Sequence, residues 1–283
     1  MIYRICFIIT LFFSQAFSED YLWPIKAKKE ITAVFGEERP GRYHTGVDIR
    51  TFGEIGYHLL AIDDGYISRI RTSSKGYGKT IYLTLHDGNT AVYAHLDHFT
   101  PEVDNLVNAL HEDYGKYTID HKIDPEDYPV KKGDLLGYSG DTGGVSGPHL
   151  HFEIRDGYGQ PVNPFQYSLD LPNNLPPEAE SVAVIPLDEN AIIDGFSEQK
   201  IFPLQKINDN EYVLADTIFA FGNIGIAIKT LDKISGQHFN FGIYSINLLL
   251  DAQFIYSMQY NKIEWGDASK IYTERSYSLA REG

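Results

Sequence analysis

The chain has 283 residues, of which 43% are hydrophobic and 13% aromatic, enough for one large domain or two ordinary ones with packed cores. Its formal net charge of −15 argues against DNA, RNA or an anionic lipid surface as the main partner. The one cysteine, Cys6, lies in the N-terminal apolar segment, so disulfides and thiolate metal sites are excluded from the remainder of the chain. Any metal ion would therefore be held by histidines and carboxylates.

The N-terminal segment has the layout of a secretory signal peptide. Arg4 precedes an apolar run over residues 5–13, and Ala16-Phe17-Ser18 places small residues at the positions that a signal peptidase reads. We predict a signal peptide over residues 1–18 and an exported protein in the periplasm or at the cell surface, with no stable membrane insertion after cleavage. An uncleaved membrane anchor is the alternative, although the run is short for a span.

Residues 19–170 have the pattern of an all-β domain. Short β-branched and aromatic runs alternate with glycine turns, and Asp87-Gly88-Asn89 between two such runs is a strong hairpin signal. The exception is the stretch over residues 101–127. It begins with apolar residues at helical spacing, namely Val103, Leu106, Val107 and Leu110. This spacing predicts a helical insertion between two strands.

A linker rich in proline and asparagine, residues 171–179, ends that domain. Residues 180–283 hold further short apolar runs, and their spacing suits a β-sandwich of about 100 residues. His238 is the only histidine in this part of the sequence, and no group of chemically reactive residues accompanies it. We predict an all-β domain with a helical insertion, followed by a β-sandwich-like accessory domain with a binding or positioning role.

Two histidines stand at the start of a predicted strand, in His149-Leu150-His151. Side chains at i and i+2 of a strand point to the same face, so these imidazoles would emerge side by side, about 7 Å apart. They could supply two metal ligands, or one ligand and one acid/base group. The signal is weak alone, because a chain with ten histidines produces such pairs by chance.

A second pair, His44 and Asp48, lies in a loop that runs into a strand, where residues i and i+4 also share a face. Two imidazoles and one carboxylate form a common ligand set for catalytic zinc, which keeps its fourth position for water. Tyr93-Ala94-His95-Leu96 ends the hairpin strand and could bring one more imidazole to the site. A general acid or base with a pKa near neutral is what amide hydrolysis needs once zinc has activated water.

Five segments resemble, in order along the chain, the lysostaphin-type (LytM) zinc metallopeptidases over roughly residues 22 to 167. They are Phe35-Gly36, His44-x-x-x-Asp48, Tyr93-Ala94-His95-Leu96, Gly143-Gly144-Val145-Ser146-Gly147-Pro148-His149-Leu150-His151-Phe152-Glu153-Ile154-Arg155 and Pro161-Val162-Asn163-Pro164. The His-Leu-His-Phe-Glu segment with its glycine-proline approach is highly specific.

The resemblance implies a small antiparallel β-core with a groove, one zinc ion per chain, and hydrolysis of the peptide stems or cross-bridges of peptidoglycan. By position, His44, Asp48 and His151 resemble the zinc ligands. His149 and His95 resemble the unliganded pair that activates water and stabilises the oxyanion. Glu153 should share the face of the two strand histidines, where it would either orient a ligand or form an ordinary salt bridge.

Two features depart from the family pattern. Leu96 and Val130 are 34 positions apart, whereas family members often join these segments through about ten residues. We expect the insertion over residues 101–127 to border the groove as a lid or specificity wall. The accessory domain carries no motif by which we identify a wall-binding module.

Three functions stay open at this point. The first is a zinc endopeptidase acting on peptidoglycan, and the filled ligand positions favour it. The second is a catalytically inactive relative that binds wall peptide or activates a separate amidase. The third is a zinc peptidase acting on proteins. Arg39 and Arg42, just before His44, could meet a substrate carboxylate, although solvated loop charges are the expected outcome.

Overall fold

The computed structural model describes residues 5–8, 21–167, 169, 171, 173, 175–276 and 279. The predicted signal peptide lies outside these residues, except for the backbone of strand β1 (Ile5–Ile8). No helix in the described part of the chain is long and apolar enough to cross a bilayer. The chain forms two compact units, of which the first contains Phe12–Leu171 together with Tyr260–Ile271.

The first unit is built around one antiparallel sheet of eleven strands. Its strands and those of one separate hairpin are β2 (Ile31–Ala33), β3 (Glu38–Arg39), β4 (Arg42–Tyr43), β5 (Val47–Arg50), β6 (His58–Leu60), β7 (Gly65–Thr72), β8 (Lys79–Leu85), β9 (Thr90–Phe99), β10 (Ile119–Lys122), β11 (Pro129–Val130), β12 (Leu135–Ser139), β13 (His149–Arg155) and β14 (Pro161–Val162). The main path of the sheet is β10-β7-β8-β9-β13-β5-β2, while β3 and β4 pair only with each other. The predicted hairpin is confirmed, because β8 and β9 pair across residues 86–89.

Strand β13 shows why this sheet can carry a polar site without losing its core. Leu150, Phe152 and Ile154 are fully buried on one face, as period-two alternation requires. The polar residues at the alternate positions, His149, His151 and Glu153, share the opposite face. The core is completed by residues of β9, whose Tyr93 and Leu96 are also fully buried.

The insertion contains the predicted helix. Helix α1 (Pro101–Tyr114) begins with proline in its first turn and ends at Gly115 in the left-handed conformation. Three of the four predicted apolar positions are buried, and only Leu106 is partly exposed. The following strand β10 pairs with β7, so β7 and β8 separate it from β9.

The second unit is also antiparallel β structure, which confirms the all-β fold class. Its strands are β1 together with β15 (Glu178–Pro186), β16 (Ile192–Ile193), β17 (Lys200–Asn208), β18 (Glu211–Leu214), β19 (Ala220–Phe221), β20 (Ile224–Lys233), β21 (Asn240–Phe241), β22 (Ser245–Leu250) and β23 (Gln253–Gln259). They form sheets in the orders β18-β17-β15-β20-β21, β1-β22-β23 and β16-β19. Face-to-face packing of these sheets as a sandwich stays a prediction.

The division of the chain differs from the predicted domain limits in one segment. The sequence pattern predicts that residues 260–271 belong to the accessory domain, but they pack with the first unit. Lys262 forms a bridge with Val162 of β14, and the backbone N–H of Ile263 donates to the carbonyl of Pro161 at 3.0 Å. A 3-10 helix (Trp265–Lys270) and the short helix α2 (Ile271–Glu274) follow. We call residues 260–271 the return segment.

Candidate metal centre

Two neighbouring strands bring the predicted metal ligands together. Asp48 of β5 lies directly opposite His151 of β13 in the antiparallel register, so the two side chains share one face of the sheet. His44 comes from the loop before β5. That loop passes very close to β13, because a Cβ atom on Gly46 would lie 2.3 Å from the carbonyl oxygen of Phe152. Glycine at this position therefore lets His44 reach the face that carries Asp48 and His151.

Three acceptor atoms converge at this point. His44 Nε2 lies 3.1 Å from Asp48 Oδ1 and 3.0 Å from His151 Nδ1, and His151 Nδ1 lies 2.9 Å from Asp48 Oδ1. A tetrahedral zinc site with ligand distances near 2.0–2.1 Å has edges of about 3.3 Å, close to these separations. In the described part of the chain, this is the one group of three residues that could hold a metal ion.

The other ring nitrogen of each histidine fixes which nitrogen faces the centre. His44 Nδ1 lies 2.8 Å from the carbonyl oxygen of Val34, and His151 Nε2 lies 2.9 Å from a carboxylate oxygen of Glu153. Both partners accept hydrogen bonds, so the protons of the neutral imidazoles point away from the centre. Two lone pairs and one carboxylate oxygen then face each other, which is the arrangement that a cation stabilises.

Glu153 accepts most of the hydrogen bonds that support the metal centre from behind. It is fully buried, and besides His151 it accepts hydrogen bonds from Thr45 Oγ1 at 2.6 Å and from the Tyr77 hydroxyl. Its second oxygen accepts from Arg155 Nε at 2.7 Å. Both predicted roles are thus present, since Glu153 orients a histidine and forms a salt bridge. Removing it would leave several buried donors without an acceptor.

The electrostatics of the centre favour a bound positive charge. Burial opposes the charged form of His151, but hydrogen bonds to Asp48 and Glu153 outweigh it and raise the His151 pKa to about 9. Burial would raise the pKa of Asp48, yet the charge of His44 and the hydrogen bonds from both histidines hold that pKa well below its usual value. The carboxylates therefore stabilise a cation among the three acceptors, either a proton or a metal ion.

His149 and His95 lie beside this centre as a second pair. Their ring centroids are 4.9 Å apart, and His149 Nε2 is 3.6 Å from Asp48 Oδ1. His149 Nδ1 donates to the carbonyl of Gly147 and His95 Nδ1 to that of Thr142, each at 2.9 Å. Burial and the neighbouring charges of His149 and His151 lower the pKa of His95 to about 4. With its proton on Nδ1, neutral His95 presents Nε2 as a proton acceptor, as does His149 in its neutral form.

His95 is held in a strained conformation. Its φ angle is +66°, which few residues other than glycine, asparagine and aspartate adopt. The backbone N–H of His95 donates to the carbonyl of Tyr77 at 2.9 Å, and its ring is buried. Such strain persists only where surrounding contacts impose it, and it is concentrated at functional sites.

Arg39 contacts the metal centre, which the sequence did not predict. Its Nη2 atom donates to Asp48 Oδ2 at 2.9 Å, and Nη1 lies 3.4 Å from Glu37 Oε2. Asp48 therefore offers one oxygen to the two histidines and the other to Arg39. The expectation of a solvated loop charge is wrong for Arg39, whereas Arg42 is exposed at the mouth of the pocket.

The centre opens into a pocket with a cavity volume of about 680 Å³. Its lining is Arg39, Pro40, Arg42, Tyr43, His44, Thr45, Asp48, Gly76, Tyr77, His95, Gly144, Val145, Ser146, His149 and His151. All five predicted site residues are among them. No described residue of the insertion lines the pocket, so the expectation that it borders the groove is not met. The reason is that β10 pairs at the β7 edge of the sheet.

Comparisons with known proteins agree with this geometry. The pattern of peptidase family M23 matches residues 114–164, which include His149 and His151. The DD-carboxypeptidase/endopeptidase Mpg of Neisseria meningitidis serogroup B is 31% identical over 131 residues, 46% of this chain and 24% of Mpg. The chain is therefore similar, in this region, to peptidases of family M23. Lysostaphin of Staphylococcus simulans is 33% identical over 114 residues, which cover 40% of this chain and 18% of lysostaphin.

The match covers only part of each relative. The matched segment is about a quarter of the length of Mpg and less than a fifth of that of lysostaphin. Among solved structures, the catalytic domain of lysostaphin from Staphylococcus simulans is 25% identical, with a TM-score of 0.37, over 50% of this chain and 93% of that one.

Proposed function

We propose that this chain is a zinc-dependent endopeptidase that hydrolyses peptide bonds in the stem peptides or cross-bridges of peptidoglycan. The observation that carries the proposal is the convergence of three metal-binding acceptors beside two unliganded histidines in an open pocket. Three protein ligands with a free fourth position are the arrangement of a catalytic zinc site, whereas a structural site is closed by four.

The proposed ligands are His44, Asp48 and His151, which would hold one zinc ion per chain. When bound, zinc supplies Lewis-acid chemistry, because it lowers the pKa of water towards neutrality and polarises a carbonyl group. The chain's own residues position this chemistry. Val34 and Glu153 orient the two histidines, and Arg39 holds the oxygen of Asp48 that faces away from them.

His149 and His95 are the proposed proton carriers. Because both present an unprotonated Nε2 to the pocket in their neutral forms, either can accept the proton of an attacking water. The imidazolium so formed can then donate a proton to the leaving amine or a hydrogen bond to the developing oxyanion. Burial lowers the pKa of His95, so its imidazole gives up such a proton readily.

Peptidoglycan is the proposed substrate because the sequence motifs resemble the lysostaphin type and because two relatives carry endopeptidase names. The name of Mpg describes a DD-carboxypeptidase/endopeptidase, and ALE-1 of Staphylococcus capitis, 32% identical over 114 residues, is named a glycyl-glycine endopeptidase. Export through the predicted signal peptide would bring the chain to this substrate. The acidic surface gives no support to a nucleic acid partner.

If the chain were an inactive regulator, we would expect some of the metal-ligand residues to be missing. Here the set is complete, its outer hydrogen bonds are formed, and both candidate proton carriers line the same pocket. These observations favour catalysis over a purely binding role. Hydrolysis of ordinary proteins stays open as a second substrate class for the same site.

The test is digestion of purified sacculi by the zinc-loaded mature chain, with the released fragments identified by mass. We expect about one zinc per chain and release of peptide fragments, both lost in His44→Ala and His151→Ala. A wild-type chain that stays metal-free after zinc loading and gel filtration would contradict the proposal. If the zinc-loaded chain cuts unfolded proteins but not sacculi, the proposed substrate is wrong and the proposed mechanism stands.

A further inference from the structure

The β3–β4 hairpin beside the metal centre carries two arginines at its closing pair. Arg39 and Arg42 are directly opposite each other in the antiparallel register, joined by Pro40 and Gly41. Directly opposed side chains project from the same face of a hairpin, with Cβ atoms about 4.5–5.5 Å apart. Both arginines line the pocket, so this face is the one that meets the groove.

Two like charges in this relation destabilise a hairpin unless anions compensate them. Arg39 is compensated, because Asp48 and Glu37 accept from its guanidinium. Arg42 is exposed, and no side chain in the described ranges forms a hydrogen bond or ion pair with it. The hairpin thus presents one uncompensated positive charge to the groove.

The charge of the pocket is opposite to that of the molecule. Asp48 is the one acidic side chain among the lining residues, and the two proposed histidine ligands and Arg39 already occupy it. The chain as a whole has a formal net charge of −15. A peptide carboxylate would therefore find a favourable partner in the groove, whereas the net negative charge of the molecule would repel it elsewhere.

We propose that Arg42 is a specificity-determining residue that receives a carboxylate of the peptide substrate close to the bond that is cut. The inference rests on the proposed function and narrows its substrate class to acidic wall peptides, as opposed to uncharged glycine bridges. Arg42 lies two residues before the proposed ligand His44, a span of about 7 Å in extended chain. Two residues of an extended substrate peptide span the same distance. The substrate carboxylate that Arg42 receives should therefore lie within about two residues of the scissile bond.

The guanidinium is suited to this role because its planar donor fork matches a carboxylate. Lysine at the same position would keep the charge and lose the paired geometry. Glutamine would lose the charge while retaining a polar side chain of similar reach. The series Arg42→Lys and Arg42→Gln therefore separates charge from geometry, and Lys122→Gln, an exposed position of β10 outside the pocket lining, is the matched control.

The experiment uses cross-linked peptide fragments from sacculi, with their carboxylates either free or converted to amides. Binding is measured on both forms by calorimetry, and kcat/KM is measured on both forms for the full mature chain and its variants. We expect wild type to prefer the free form by about tenfold or more. Arg42→Gln should remove this preference by weakening only the free form, Arg42→Lys should be intermediate, and Lys122→Gln should match wild type.

The two proposals fail in different ways. A preference for the free form that persists in Arg42→Gln, or an equal loss on both forms, overturns the role of Arg42 while cleavage still supports the endopeptidase. Preferential binding of the free form through Arg42 without cleavage upholds the subsite and contradicts the proposed enzyme. Equal zinc content in all variants shows that the differences do not arise at the metal centre.

Discussion

At the scale of single residues, Arg39 has a different role from its neighbour Arg42. Its contact with Asp48 Oδ2 leaves Oδ1 directed at the two histidines, so Arg39 is a positioning residue for a proposed ligand. Replacing it with methionine removes the charge and keeps the bulk of the side chain. The Asp48 carboxylate would then lose a charged partner and gain freedom to rotate.

We predict that Arg39→Met weakens zinc affinity about 10- to 100-fold, the usual effect of losing an outer-shell partner. The measurement is competition for zinc against a chromophoric chelator. Arg42→Gln is the control, because Arg42 has no contact with Asp48 among the described residues, and its zinc affinity should equal that of wild type. Equal zinc affinities for wild type and Arg39→Met would show that Arg39 does not position Asp48 for metal binding.

The two unliganded histidines lead to a second prediction. His149→Ala and His95→Ala should retain zinc but lose activity by about 100-fold or more, as expected for loss of a general acid or base. Zinc content and kcat are measured on the same preparations. His86→Ala, an exposed residue at the end of β8, is the control and should change neither value. Loss of zinc in either active-site variant would show that the ligands are assigned wrongly.

The residues that the sequence could indicate are those in local patterns. His149 and His151 follow from alternation along one strand, and the ordered motifs of the family resemblance add His44, Asp48 and His95. Arg39 and Tyr77 gave no such signal. Their contacts with Asp48 and Glu153 depend on how separate loops meet in space, which spacing along the chain does not determine.

At the scale of elements, the same distinction applies. Helix α1 was predictable because its apolar spacing, its initial proline and its terminal glycine are local features. Its location was not, because the pairing of β10 with β7 is a long-range contact supported by Asp120, which accepts from Arg69 Nε at 2.6 Å. The insertion therefore pairs with the free edge of the sheet at β7, away from β9, the strand that precedes it in sequence.

The return segment is the element that sequence patterns missed most completely. The ring of Tyr260 packs against Gly36, where an added Cβ would lie 2.6 Å from the ring, and lies 5.8 Å from the ring of Tyr43 next to His44. Trp265 stacks on Arg155, which in turn holds Glu153. Both proposed histidine ligands are therefore supported, through neighbours, by residues that follow the second unit in the sequence.

We predict that Tyr260→Ala destabilises the first unit by about 3 kcal/mol, as for truncation of a buried aromatic, and weakens zinc retention. Tyr260 is only 5% exposed, and its loss would leave a cavity beside the loop that carries His44. Chemical denaturation and zinc titration measure the two effects. Tyr158→Ala, at a position 90% exposed, is the control and should behave as wild type. If Tyr260→Ala is destabilised but binds zinc as tightly as wild type, the return segment supports the fold and not the metal centre.

At the scale of the whole molecule, the two compact units should respond differently to metal. The described residues contain one group that could hold a metal ion, and all of its members belong to the first unit. Without a bound cation, the three acceptor atoms of this group face each other about 3 Å apart. No proton lies between them unless one histidine is charged, so this arrangement is unfavourable. Zinc binding should therefore add stability to the first unit and leave the second unchanged.

The last prediction is a calorimetric one. At free zinc about 1,000 times the dissociation constant, linkage adds about 4 kcal/mol to the stability of the unit that binds it. For a unit of this size, each kcal/mol moves the melting temperature by about 2–4 °C, so a chelator should lower one transition by roughly 10 °C. The second transition should not move, and the His44→Ala variant should show no chelator effect on either one. A chelator shift that persists in His44→Ala would place the stabilising metal at other residues, and equal shifts of both transitions would mean that the two units unfold as one.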